Sequence, residues 1–462
     1  MTDYDRHVEQ LSNVLRASIG DLRESQGYLD STYRLRTLGL GAPPEMRYLR
    51  VNVGWPSLYL RSVEERLDVV GFRVDGDDTD EGMGLLWQWW QDNNLDEESS
   101  LGHMDALTFG RSYITVAAPG ERDSADSPII RLESPLSMYA ELDPRTREVT
   151  RAVRLYSSDP HSSVADSATL LLPDRTVYLK KSSVAGAWAT DGKPVEHNLG
   201  VVPVVPLVNR SRLSDRYGQS EITPELRTLT DAAARTMMNL QTASELMAVP
   251  LRVFFGVNKP DLVGDGSSLD VNDVYFARIL ALENDQAKAF EFSAADLRNF
   301  TEELSELAKH FASYTGLPPQ YLSFSSDNPA SAEAMQASEA RLVKTCERKA
   351  RMFGGSWEQA MRIASQVMGK QVPESYNRLE TVWNNPATPT YAAKADAVTK
   401  LYANGQGVIP REQAWIDMGY SVAQRDNMRA WFDEENPVSL LESMYAAQRR
   451  EPAASERPGG AA

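Results

Sequence analysis

The sequence predicts an α+β chain, mainly helical, and three observations carry that expectation. Apolar residues recur at three- and four-residue spacing through several long segments, as amphipathic helices require. Between positions 112 and 180 the pattern changes to short runs separated by Asp-Pro, Pro-Asp and Gly turns, which reads as an antiparallel sheet carried by the preceding helices. A second, smaller β-patterned stretch, Pro250 to Phe292, lies between two helical segments of matched length. At 462 residues the chain exceeds one compact core, so two or more lobes are expected.

Taken in order, Val8 to Leu22 is a helix with Leu11, Leu15, Ile19 and Leu22 on one side, and a polar stretch to Leu40 follows, broken by Gly41-Ala42-Pro43-Pro44. Asn52 to Leu67 is a second helix, with Pro56 near its first turn, and it runs into a short extended piece at Val69 to Phe72. The acidic turn Asp75 to Glu81 offers oxygen ligands without the ordered spacing of a calcium loop, so it reads as a solvated turn. Helices follow at Leu85 to Asn93 and Ser100 to Gly110. Strands are expected at Tyr113 to Ala117, Ile129 to Leu132, Val149 to Tyr156, Ala168 to Leu172 and Thr176 to Lys180. Val201 to Val208 is apolar, but Pro203 and Pro206 confine it to an edge or a connector.

The middle of the chain carries the most pointed pattern. Thr223 caps a helix with Pro224 at its first position, and Leu226, Leu229, Ala233, Met237, Leu240 and Met247 mark its apolar face. After the β-patterned insert, Ser293 to Ser313 forms the matching helix; Gly316 and the pair Leu317-Pro318 stop it. A polar, proline-bounded loop follows, bearing Tyr321 and Phe324, and Asn328 or Ser331 caps a long helix that the pair Gly354-Gly355 is expected to kink. Each of the paired helices spans roughly 30–35 Å at 1.5 Å per residue. Such a pair is expected to need neighbours to cover its apolar face, which argues for an oligomer, with a closed head-to-tail ring supplying cover on both sides. Beyond Gly369 the chain reads as an irregular segment through Trp383, then helices at Tyr391 to Tyr402, through Trp415 and at Val438 to Arg450, and a flexible tail.

Composition narrows function. The net charge of −17 argues against an extended phosphate-gripping patch. A single cysteine, Cys346, excludes an intrachain disulfide and points to a reducing compartment, and neither a signal peptide nor a membrane-spanning run is legible. The five histidines lack close metal-ligand spacing, no phosphate-binding glycine loop is present, and Gly218-Gln219-Ser220-Glu221 lacks the second glycine of a nucleophile elbow. No catalytic residue, metal or cofactor is therefore expected. A hydrolase drawing on Glu133, Glu141 or Asp143 would need a cavity-lining acidic pair for which no signature is visible.

Several motifs, weak singly, are specific in their order and spacing: Asn52…Glu65-Arg66-Leu67…Gly71-Phe72, Ala106…Phe109-Gly110-Arg111-Ser112-Tyr113, Pro203 to Asn209, Gly218 to Ile222, Tyr314 to Pro319, Asp327 to Ala334 and the Trp383 segment. On these the chain resembles the portal proteins of tailed bacteriophages, in particular the family typified by a siphophage of Bacillus and common in actinobacterial phages. The resemblance implies a portal fold with a wing over 1–222, stem helices at 223–249 and 293–316, a clip at 250–292, a tunnel loop at 317–330, a long kinked helix at 331–371, a crown at 372–451 and a flexible tail at 452–462. It further implies a dodecameric ring at one capsid vertex that double-stranded DNA crosses without sequence specificity. The implied partners are the terminase large subunit, a head-tail adaptor, and the major capsid and scaffold proteins, with no membrane. The implied location is the virion, and the host cytoplasm during assembly. Another capsid-associated or head-completion protein is the alternative.

Within that frame the loop residues Tyr321, Ser323, Phe324, Ser325, Ser326, Asp327 and Asn328 are candidates to line a channel, being polar, short of cations and carrying one repelling carboxylate. Arg341, Lys344, Arg348 and Arg351 share one helix face and are candidates for DNA or intersubunit contact, or for pairing with Glu339 and Glu347. Asp261, Asp265, Asp270 and Asp273 make the clip turns acidic, as docking or as ordinary turn chemistry.

Overall fold

A computed structural model of the chain describes residues 3–33, 51–74, 80–120, 126–162, 164–181, 183, 186–248, 252–255, 279–282, 297–322, 332–370, 372–387, 391–420 and 422–435. The fold is α+β and mainly helical. In chain order the helices are α1 Asp3–Leu29, α2 Trp55–Glu64, α3 Asp80–Asp92, α4 Leu95–Phe109, α5 Pro224–Ala248, α6 Arg298–Thr315, α7 Ala332–Val367, α8 Tyr391–Tyr402, α9 Arg411–Met418 and α10 Val422–Glu435. The strands are β1 Val69–Val74, β2 Arg111–Ala117, β3 Ile129–Glu133, β4 Met138–Leu142, β5 Val149–Tyr156, β6 Ser167–Leu171, β7 Arg175–Lys181, β8 Trp188–Thr190, β9 Val195–Glu196, β10 Val204–Val208, β11 Arg252–Phe255, β12 Ile279–Leu282 and β13 Leu379–Trp383. Packing divides the chain into two compact units: Met1–Glu65, Leu101–Thr115 and Arg131–Thr345 form one, and Arg66–Ser100, Val116–Ile130 and Cys346–Ala462 the other.

In the first unit, β4 to β8 form an antiparallel sheet with β9 beside β7. Side chains alternate across it as the strand period of two demands. Tyr139, Val153, Leu170, Val177 and Leu179 meet Val8, Leu11 and Leu15 of α1 on one face. Met138, Ala140, Ala152 and Leu171 meet Tyr113, Val202 and Val204 on the other. Of the preceding helices expected to carry this sheet, the first one covers this face, and it is longer at both ends than Val8 to Leu22. The strand β4 was not foreseen. β10 takes the edge of the sheet β10-β2-β3, where its proline is tolerated, in line with the expectation for Val201 to Val208. β11 and β12 pair in parallel; the rest of 250–292, including Asp261, Asp265, Asp270 and Asp273, lies outside the described residues, as does most of the acidic turn at 75–81.

Helix α5 begins at Pro224, and its Ala233, Ala234 and Met237 pack with Leu304 and Leu307 of α6 under Val53 and Trp55. Trp55 and Phe311 lie with ring centroids 5.5 Å apart. Leu226, Met238, Phe311 and Ala312 are buried, and among the described side chains of the two helices only Tyr314, 61% exposed, is a large exposed apolar group. Residues 51–64 and the helices themselves cover part of the stripe within one chain, while Leu229, Met237, Leu240, Leu304 and Leu307 stay half-buried and the side chain of Met247 lies outside the described ones.

The second unit is built on aromatic rings. Phe72 of β1, Trp90 of α3 and Trp357 of α7 are buried, with Trp90 5.9 Å from Phe72 and 4.8 Å from Trp357, both edge-on. Asn93 at the end of α3 acts as a peg: its Nδ2 donates to the carbonyls of Trp89 and Pro128, and its Oδ1 accepts from the N–H of Ile130. β1 pairs antiparallel with β13, a strand where the sequence suggested an irregular segment. The kink expected at Gly354-Gly355 is not an interruption either, since α7 is helical through the pair. Gly354 is used for close approach: a Cβ there would lie 3.2 Å from Nε1 of Trp383, and its carbonyl accepts from the Thr381 hydroxyl. Helices α8 and α9 lie where expected, α10 was not anticipated, and Val438 to Arg450 and the tail fall outside the described residues.

Candidate functional site

Two places in the first unit concentrate the chemistry-bearing residues, and the first is the connection between α6 and α7. Gly316 adopts the left-handed conformation, φ 77°, and returns its N–H to the Ala312 carbonyl at 2.8 Å, closing α6 as its sequence demands. Leu317 turns inward, 3% exposed, and Pro318-Pro319 opens a single 3-10 turn ending at Tyr321. Three side-chain bonds then fasten this stretch to the first turns of α7. The Tyr321 hydroxyl donates to Glu339 Oε1 at 2.8 Å, Gln320 Nε2 donates to Ser338 Oγ at 2.9 Å, and an Arg341 guanidinium nitrogen donates to the Ser313 carbonyl at 2.7 Å. The last places a cation on the carbonyl end of α6, where the helix dipole favours it. Tyr321 is thus one wall of an anchor. Ser323, Phe324, Ser325, Ser326, Asp327 and Asn328 lie outside the described residues.

The anchor gives a direct prediction. Tyr321→Phe removes a hydrogen bond to a charged acceptor, which is worth about 1.5 kcal/mol. Amide exchange across Gly316–Leu322 should accelerate about tenfold, with exchange in β5 unchanged. An unaltered rate would show that the bond carries none of the anchoring.

Beyond the anchor, Arg341, Lys344, Arg348 and Arg351 fall on one exposed face of α7, continuous with Ala337 and Gly355. No carboxylate interrupts this face; Glu339 and Glu347 sit half-buried at its flanks. Arg348 and Arg351 make no hydrogen bond or ion pair among the described residues. On the opposite face of the helix Cys346 is buried, and burial pushes its thiol up to about 11.

The second place joins motifs that the sequence offered separately. Gly110, φ 90°, ends α4 at its passage into β2, and Gly218, φ 79°, lies against it. The Gly110 carbonyl accepts from the Asn209 N–H at 2.8 Å, and the Asn209 carbonyl accepts from the Gln219 N–H at 2.8 Å. Asn209 Nδ2 donates to the Gln219 carbonyl at 2.7 Å and to Glu221 Oε1 at 2.9 Å, while the Tyr59 hydroxyl donates to Glu221 Oε2 at 2.8 Å. The Glu221 N–H donates to the Leu107 carbonyl, so α4, β10 and the lead-in to α5 are tied at one knot. Only the contacts across the fold reveal it, because its members are about a hundred positions apart.

The carboxylates considered for hydrolysis are not brought together. Glu133 pairs with Arg154 at 2.9 Å and Glu141 with Arg151 at 2.5 Å. Asp143 accepts the backbone N–H groups of Thr146 and Arg145, which hold its carboxyl below the usual range. Among the described residues no group of three His, Cys, Asp or Glu side chains could hold a metal ion, and no helix is long and apolar enough to cross a membrane.

The family model described as "Phage portal protein, SPP1 Gp6-like" matches residues 24–434. The portal protein of Mycobacterium phage L5 is 51% identical over 439 residues, 94% of this chain and 89% of that protein. That of Mycobacterium phage D29 is 50% identical over 428 residues, 91% and 87%. Among solved structures, a chain from the neck of an empty gene transfer agent particle aligns with a TM-score of 0.44 at 12% identity, over 83% of this chain and 95% of that one.

Proposed function

Because this chain belongs to the SPP1 Gp6-like family of phage portal proteins, we propose that copies of it close into a twelve-membered ring that conducts double-stranded DNA through one vertex of the capsid. The family match over 24–434 carries this reading. On it, residues 1–222 are the wing, α5 and α6 the stem, 250–292 the clip, 317–330 the tunnel loop, α7 the long helix behind the loop and 372–451 the crown. The ring sits in the virion after assembly in the host cytoplasm. The clip, with Asp261, Asp265, Asp270 and Asp273, docks the terminase large subunit and later a head-tail adaptor, and the wing meets the capsid and scaffold proteins.

The mechanism is passive. Translocating DNA must slide, so the lumen must not grip phosphate, and a chain of net charge −17 repels the backbone it surrounds. The tunnel loop supplies contact without charge capture, while Tyr321 is held to α7 through Glu339. ATP hydrolysis then belongs to a separate motor. Replacing Ser323–Asn328 by a Gly/Ser sequence of equal length should leave rings intact by native mass measurement and lower the yield of DNA-filled heads at least about tenfold. Parental yield from such rings would remove the loop from the mechanism.

A further inference from the structure

The loop that leads from β10 toward α5 has a tip of unusual composition for an acidic chain. Arg210, Arg212, Leu213 and Arg216 are all exposed, Leu213 at 84%. The side chains of Arg210 and Arg216 have no hydrogen bond or ion pair among the described residues, and Arg212 stands 3.8 Å from Asp215 while remaining 71% exposed. The tip is nonetheless well built. Asp215, buried below it, accepts from the Ser211 hydroxyl at 3.0 Å, the Arg212 N–H at 2.9 Å, the Ser214 hydroxyl at 3.2 Å and Gln219 Nε2 at 3.1 Å. Gln219 is in turn bound into the Gly110–Gly218 knot. A rigid loop holding one leucine in solvent between three arginines is organised to meet something acidic that has an apolar recess.

Such a surface exists in the same unit. The outer face of α6 exposes Glu302, Glu303 and Glu306, within a third of a turn of one another, and continues to the exposed ring of Tyr314. Lys309 binds Glu306 at 2.6 Å on this face. We propose that the Arg210–Arg216 tip of one copy docks on the Glu302–Glu306 face of α6 of a second copy. This rests on the ring reading. The two patches are opposite in charge, and the exposed Tyr314 ring at the end of the acidic face offers Leu213 an apolar neighbour. Duplex DNA is the poorer occupant, since phosphate offers nothing to Leu213.

The test uses the full chain and reads the concentration at which rings form, by mass photometry across a dilution series. Arg212→Glu with Arg216→Glu should raise the assembly midpoint at least about tenfold, and Leu213→Ser should raise it independently. Adding Glu302→Lys and Glu306→Lys to the arginine pair should bring the midpoint back to within about threefold of the parent. That recovery cannot come from misfolding. Parental midpoints for the arginine and leucine variants overturn the contact while leaving the ring reading intact, and raised midpoints without recovery in the swapped variant overturn the assignment to α6. A parent chain that stays monomeric throughout overturns the ring reading and this contact with it. Unchanged assembly with lowered retention of a 30-base-pair duplex on a filter would assign the tip to DNA instead, and the proposal would fall.

Discussion

Gly218→Val is expected to leave the first unit without a cooperative native state. A Cβ at this position would sit 1.8 Å from the Gly110 carbonyl oxygen and 2.7 Å from its carbon, both backbone atoms. The residue also stands at φ 79°, a region that a β-branched side chain avoids. Neither glycine can step aside cheaply. Gly110 is at φ 90°, its carbonyl holds the Asn209 N–H, and Asn209 holds Gln219 and Glu221. Relief of the clash separates these partners, so the left-handed strain of about 1–2 kcal/mol is joined by the loss of several hydrogen bonds at about 1 kcal/mol each, more for those to Glu221. The sum, on the order of 5 kcal/mol or more, is comparable to the whole stability of a typical domain. Scanning calorimetry should show loss of a transition or a midpoint lowered by at least about 10 °C. The control is Gly355→Ala, at a helical glycine whose added Cβ would meet nothing within 4 Å, where removing backbone entropy should stabilise by up to about 1 kcal/mol. If Gly218→Val melts with the parent, the knot does not hold α4, β10 and α5 together.

How much of this was legible in the sequence depended on how local each signal was. The start of α5 at Thr223-Pro224 and the end of α6 at Gly316-Leu317-Pro318 are written within a few residues, because caps and prolines act on their own backbone. The edge position of β10 was legible for the same reason. The knot was not: Gly110 and Gly218 each look like an ordinary turn glycine, and their need for one another is a property of the fold. Gly354-Gly355 misled because a glycine in a helix signals either weakness or close approach, and only the neighbouring Trp383 and Thr381 distinguish the two. β13 was missed because LETVW lacks a clean two-residue alternation; its partner across the ladder, Val69–Val74, lies some three hundred residues earlier.

Of the candidate site, the anchor was half-readable. Tyr321 is by sequence a candidate to line a channel, yet its hydroxyl faces Glu339, a pairing that spans a loop and cannot be seen from spacing. The four cations of α7 do share one face, as three- and four-residue spacing requires, and their exposure is the added fact. Part of the apolar face of α5 and α6 is covered by Val53 and Trp55, which lie far upstream and are not legible from spacing as its lid.

Trp357→Ala should have the second largest effect, and it should appear in the other unit. Trp357 is fully buried on α7, with its ring 4.8 Å from that of Trp90 at 64°. Trp90 is fixed from its far side by Nε1 donation to Asp96 Oδ1 at 2.7 Å and by Phe72 of β1. Truncation removes one of the three buried indoles of this core and leaves a cavity that a bonded indole cannot collapse into, a cost of about 3–5 kcal/mol, with roughly 1 kcal/mol more for the lost ring pair. The ribbon of β1 and β13 should fail first, since two strands have little stability without a packed face. Urea unfolding of the second unit should shift to lower concentration, and amide protection in Val69–Val74 and Leu379–Trp383 should fall by at least a hundredfold, about 2.7 kcal/mol in local opening. Trp357→Phe should recover most of that protection by keeping a ring edge against Trp90. Parental protection in both strands of the alanine variant would mean that the ribbon stands without the indole, and that the aromatic stack is not what holds this unit.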